Sequence, residues 1–223
     1  MSLVETIRAL FAHAASAASL GNVQEADSYD RKAVELMTRH AIDQALVNAR
    51  QQTARKVATI EISGEELPET YQSAHASGIV ELAGLLGGCG IVGTKYGSSK
   101  VRMIRIAMAD VDAFRHLALG LASVAGTRVA MMAGDRAYRS SWVRGFWAGC
   151  SYQARQQIQA DHEPENVSQA LVVSRQAAKD SLLKPGETTR PYKPPPIARA
   201  QGWNSGLVAG VETYGSFRTK ALA

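Results

Sequence analysis

Cationic and aromatic side chains alternate over residues 95–155 in a pattern suited to contacting a polyanion. Lys95, Tyr96, Lys100 and Arg102 gather in one short segment. Arg136, Arg139, Arg144 and Arg155 follow among Tyr138, Trp142, Phe146, Trp147 and Tyr152. Lysine and arginine neutralise phosphates, and an aromatic ring can stack on a base. The chemistry on offer is charge neutralisation rather than bond making. The aromatics have a plainer reading, because Tyr138, Trp142 and Phe146 recur at the spacing of a helix's buried stripe. We read them as core, and the cationic groups as a surface for nucleic acid or for an acidic protein surface.

Other constellations are weaker. Gly88-Cys89-Gly90-Ile91-Val92-Gly93 matches G-x-G-x-x-G, but a dinucleotide fingerprint needs a strand before the glycines and a helix after them. Here the predicted order is reversed, and the run reads as a helix stop and a tight entry into a strand. Thr94-Lys95 stands where a P-loop has lysine followed by serine or threonine. His13, His40, His75, His116 and His162 are scattered, with no second histidine at ligand spacing. His40 reads as a dipole partner at a helix end, and Asp161-His162-Glu163 as a turn. Ser98, Ser99, Ser140 and Ser141 lie in no G-x-S-x-G elbow. Glu65/Glu66 fits a turn and Asp110/Asp112 a helix cap. No catalytic residue, metal ligand or cofactor is expected from these groups.

A chain of 223 residues, 46% hydrophobic and 20% charged, holds enough apolar material for a normal core and is not a disordered tail. It has neither a long apolar run nor a basic-then-apolar start, so the expectation is a soluble cytoplasmic protein with no membrane span. Two cysteines are too few for a disulfide scaffold. Residues 1–90 hold 7 Lys/Arg and 11 Asp/Glu, whereas residues 91–160 hold 10 and 3. An acidic front and a basic middle predict an anionic partner for the middle, or front-to-middle pairing within a homo-oligomer.

The elements that must position these groups follow from periodicity. Residues 1–55 read as helices, with a turn at Gly21-Asn22 and a third helix starting at Asp43. Alternation over 57–62 predicts a strand, and 64–68 a turn. A helix over 69–86 stops at Gly87-Gly88. Residues 91–94 and 100–108 read as a hairpin with Lys95 and Lys100 near its tip. Asp110 or Asp112 caps a helix, another runs over 135–160, and 170–174 is expected to be a short strand. Five of the seven prolines fall in 184–201, an extended connector before a last helix from about Trp203 to Tyr214. Two glycine pairs within predicted helices, Gly145/Gly149 and Gly206/Gly210, predict close helix–helix packing between them.

The hairpin carrying Glu25-Ala26, Ala33 and Leu36-Met37-Thr38-Arg39-His40-Ala41-Ile42-Asp43 resembles the N-terminal module of domain-of-unknown-function family 2786. That family usually has glycine where this chain has Ala41. Its downstream part is similar to Leu86-Gly87-Gly88-Cys89, to Arg139-Ser140 with Gly145-Phe146, and to Gly202-Trp203 with Gly206 and Gly210. The resemblance implies a bacterial or phage protein, cytoplasmic or in a phage particle, and carries over no catalytic residue.

The expected fold is α+β: an N-terminal helical hairpin plus a small antiparallel sheet of three or four strands covered by helices. The expected divisions are a hairpin module (1–55), an α+β domain (56–183), a proline-rich connector (184–201) and a docking helix with tail (202–223). The expected function is that of a non-enzymatic accessory protein binding nucleic acid through its basic centre. The alternative is a structural or protein-interaction component, associated with a phage particle if viral, that self-assembles through the acidic hairpin and the basic middle; an enzyme is the third reading.

Overall fold

A computed structural model describes residues 2–51, 57–94, 100–160, 164–182 and 200–215. Seven helices and three strands follow in the order α1 (Leu3–Ser19), α2 (Val23–Gln51), β1 (Ala58–Ser63), α3 (Gln72–Leu85), β2 (Cys89–Thr94), β3 (Val101–Met108), α4 (Val111–Ala130), α5 (Arg136–Gln159), α6 (Pro164–Leu182) and α7 (Ala200–Gly215). The fold is α+β, mostly helical around one small antiparallel sheet.

The helices begin and end where local chemistry dictates. Gly21, at φ +78°, turns α1 into α2. Asp110 caps α4 by accepting from the Ala113 N–H, and Asp135 caps α5 by accepting from the Tyr138 N–H. Gly87, at φ +79°, ends α3 while the Gly88 N–H bonds the Ala83 carbonyl at 2.8 Å, the six-to-one bond of a Schellman motif. The glycine run from Gly88 to Gly93 is therefore a helix stop leading into β2, and no helix follows it to face a pyrophosphate.

The strand order is β1-β3-β2, antiparallel throughout, with Ile60 opposite Ile106 and Ile62 opposite Ile104. Central β3 is buried from Ile104 to Met108 because both of its faces are covered there. Ile104, Ile106 and Met108 enter the main core with Phe114 and Leu117 of α4 and Val143 and Phe146 of α5. On the opposite face Ala107 packs with Ala178 and Leu182 of α6, beside Cys89 and Ile91. Ile7 of α1 and Ala33 and Met37 of α2 join the main core, so the hairpin shares its apolar interior with the sheet.

Two expectations are corrected. No third helix starts at Asp43, because α2 runs unbroken to Gln51. Residues 23–51 contain no glycine or proline, and Ala33, Met37 and Ala41 keep one buried stripe at four-residue spacing. Residues 170–174 are not a strand but part of α6. Val167, Ala170, Leu171, Ser174, Ala178 and Leu182 are buried at helical intervals, while Val172 and Val173 face solvent. The β-branched pair suggested a strand, and burial of the other face overrode that propensity. Three strands occur among the described residues. The proline-rich stretch 184–199, the tail 216–223 and the Asp161-His162-Glu163 segment lie outside them.

Candidate nucleic-acid interface

Helix α5 carries four of the eight cationic or aromatic contact residues expected from sequence. Its aromatic stripe is core: Trp142, Phe146 and Trp147 are buried, with Trp142 stacked on Phe146 at 5.7 Å between centroids and Trp147 edge-on to Phe146. None of the three rings is available to a base. Tyr138 is half-buried and Tyr152 exposed.

The arginines separate into two sets. Arg136 and Arg139 lie one turn apart at the start of α5. Arg136 is exposed, whereas Arg139 is half-buried, and its buried Nε has no hydrogen-bond partner among the described residues. Arg144 and Arg155 share another side of the helix, about 16 Å apart along its axis. Arg144 is half-buried and has an interaction partner. Arg155 pairs with Glu81 of α3 at 3.3 Å. On the sheet, Arg102 of β3 is exposed; Lys100, just before β3, is exposed and has a partner. Lys95 and Tyr96 lie outside the described residues.

Much of the charge asymmetry is resolved inside one chain. Arg105 of β3, largely buried, holds Glu61 directly across the strand pair at 3.1 Å. Arg115 of α4 pairs with Glu66, and Arg155 with Glu81. Three arginines of the basic middle thus meet three glutamates of the acidic front. Sequence reasoning saw the two charge blocks and missed these pairs, because register and helix docking decide which charges meet.

The histidines hold structural positions. His40 lies inside α2, not at a helix end, and contacts the Asp110 carboxylate at 2.9 Å. The correction follows from the unbroken α2. His116 contacts the Asp112 carbonyl through Nδ1 at 2.7 Å and accepts from Arg8 Nε at 2.7 Å through Nε2. Neutral imidazole satisfies both contacts, Nδ1 donating and Nε2 accepting. His75 is fully buried, and burial pushes its pKa down to about 4. Cys150 is buried too, which pushes its thiol well above the usual range. Among the described residues no three His, Cys, Asp or Glu side chains gather as a metal cage, and no helix is long and apolar enough to cross a membrane.

Helix α7 lies along α5 in the most extensive helix–helix contact of the fold. A Cβ at Gly145 would collide with the carbonyl of Trp203, and one at Gly206 with the carbonyl of Trp142. Gly202 meets the Tyr138 carbonyl in the same way. Gly149 is buried in α5, and Gly210 falls within α7. Backbone-to-backbone approach offsets the cost of glycine in these helices.

The comparison with known families concerns the other end of the chain. Residues 2–44, which form α1 and most of α2, match the family described as "Protein of unknown function (DUF2786)". The match is confined to the N-terminal hairpin. The matched segment covers the hairpin and ends before the sheet and α5. Comparison with curated proteins and with solved structures gave no match. Within the matched hairpin, Ala41 is a buried residue of the continuous helix α2.

Proposed function

We propose that the protein is a non-enzymatic accessory protein that binds nucleic acid through its basic centre, by phosphate neutralisation without strong reading of sequence. The observation that carries this reading is the Arg136/Arg139 pair at the start of α5, one side chain exposed and the other half-buried one turn away. Internal ion pairs take up Arg105, Arg115 and Arg155, whereas exposed Arg136 and Arg102, with half-buried Arg139, are placed where a polyanion could meet them. The core aromatics leave backbone contact as the mode, which is positioning rather than readout.

Self-assembly of acidic hairpin on basic middle draws less support. Glu35 of the hairpin is engaged by Lys32 and Arg39 of its own helix, and the glutamates that meet the basic middle do so within the chain. The test is fluorescence anisotropy with a random DNA duplex, comparing the native chain with the R136A/R139A variant. Loss of about two phosphate contacts lowers the slope of log K against log salt by about 2. Unchanged binding by the variant contradicts the assignment.

A further inference from the structure

We propose that the outer edge of β2 pairs with β2 of a second copy of this chain, giving one continuous six-stranded sheet across a two-fold axis. In the order β1-β3-β2, β2 is hydrogen-bonded to β3 alone. Its outward N–H and C=O groups therefore have no ladder partner among the described residues. Both faces of the strand are already used. Cys89 and Ile91 pack with Ala178 and Leu182 of α6, and Val92 packs against the main core. At Gly90 an added Cβ would press on Ile106 and Val80. Among the described residues no strand lies along the remaining edge.

The chemistry of that edge selects its occupant. Natural edge strands are shielded by charge, proline, covering elements or inward-pointing ionic groups. Cys89-Gly90-Ile91-Val92-Gly93-Thr94 carries no charge and no proline, and its glycines add no side chain to screen the backbone. The opposite edge, β1, carries Glu61 at mid-strand, in a pair with Arg105; antiparallel self-pairing of β1 would bring like charges together. Self-pairing of β2 opposes no charges. Antiparallel pairing of one strand with itself is isologous, so it closes at two copies and leaves β1 as the outer edge of both halves. This interface is separate from the arginine surface and does not depend on the nucleic-acid reading.

The experiment joins the solution mass to amide hydrogen exchange over a range of protein concentrations. The expected result is twice the 23.9 kDa of one chain at high concentration, falling to one chain on dilution. Exchange of the β2 amides should quicken in step with that fall. Val92→Lys places like charges near the two-fold axis, and the expected variant is a single chain with its helical circular dichroism intact. Should that variant unfold, the match between mass and β2 exchange in the native chain decides alone. A single-chain mass at every concentration overturns the proposal, including the case in which the chain's own residues protect the β2 amides. A dimer whose β2 amides exchange as fast as those of the monomer also overturns it, by placing the interface elsewhere.

Discussion

The indole N–H of Trp147 donates to Nδ1 of His75 at 3.2 Å, and that contact fixes the imidazole as the tautomer protonated at Nε2. His75 sits on α3 and Trp147 on α5, where Trp147 also packs on Gly78. Nε2 is buried without a partner, so a second proton would leave a charged ring in an apolar interior.

The pH dependence of stability follows. The folded pKa of about 4 lies below the ordinary histidine value of 6.5, so the neutral ring is the folded form. Above pH 6.5 the group costs nothing. As pH falls from 6.5 to 4 the unfolded chain takes up the proton first, and stability is lost. Denaturant unfolding of His75→Phe should show a weaker loss over that window than the native chain.

Asp30 has the opposite sense. It is 3% exposed, its Oδ1 has no partner, and burial raises its pKa from 3.8 to about 7. Below pH 3.8 both states are protonated and there is no penalty. Between 3.8 and 7 the unfolded chain ionises first, so stability falls and stays low above 7. Asp30→Asn is expected to be more stable than the native chain at pH 8 by about 1–3 kcal/mol. The difference should fade toward pH 4 in paired unfolding curves.

The contact between α5 and α7 predicts a contrast among glycines. Gly145→Ala drives a methyl into the Trp203 carbonyl and should cost about 1–3 kcal/mol, read as a lower Tm. Gly84→Ala, in α3 with open space around the added carbon, should raise stability by about 0.5–1 kcal/mol.

The internal ion pairs differ in depth. Arg105 is 9% exposed at its side chain where it meets Glu61, whereas Arg155 and Glu81 are both about half exposed. Glu61→Ala should therefore destabilise by about 1–2 kcal/mol, against less than about 1 kcal/mol for Glu81→Ala. Equal effects in thermal unfolding would show that burial does not separate the two pairs.

Legibility in the sequence tracked the range of the forces involved. The turn at Gly21, the stop at Gly87-Gly88 and the caps at Asp110 and Asp135 are local, and each appears where residue type and spacing place it. Residues 170–174 read as a strand because Val172 and Val173 dominate a five-residue window, while the helical stripe from Val167 to Leu182 emerges only over four turns. Asp43 has the residue type of a helix cap, but no glycine or proline stops α2 before it, so the helix continues through it. Of the stripe Tyr138, Trp142 and Phe146, the last two are buried as the spacing predicts, Tyr138 is only half-buried, and the buried Trp147 lies outside that spacing. The partners of Arg105, Arg115 and Arg155 were not legible, since strand register and helix docking set them over 44 to 74 residues of chain.

The most direct test of the central claim is the salt dependence of binding to a random DNA duplex, measured by anisotropy between about 50 and 200 mM salt for the native chain and R136A/R139A. The account predicts binding that weakens steeply with salt, and a variant whose log–log slope is shallower by about 2. Absence of salt-sensitive binding by the native chain, or an identical slope in the variant, would contradict it.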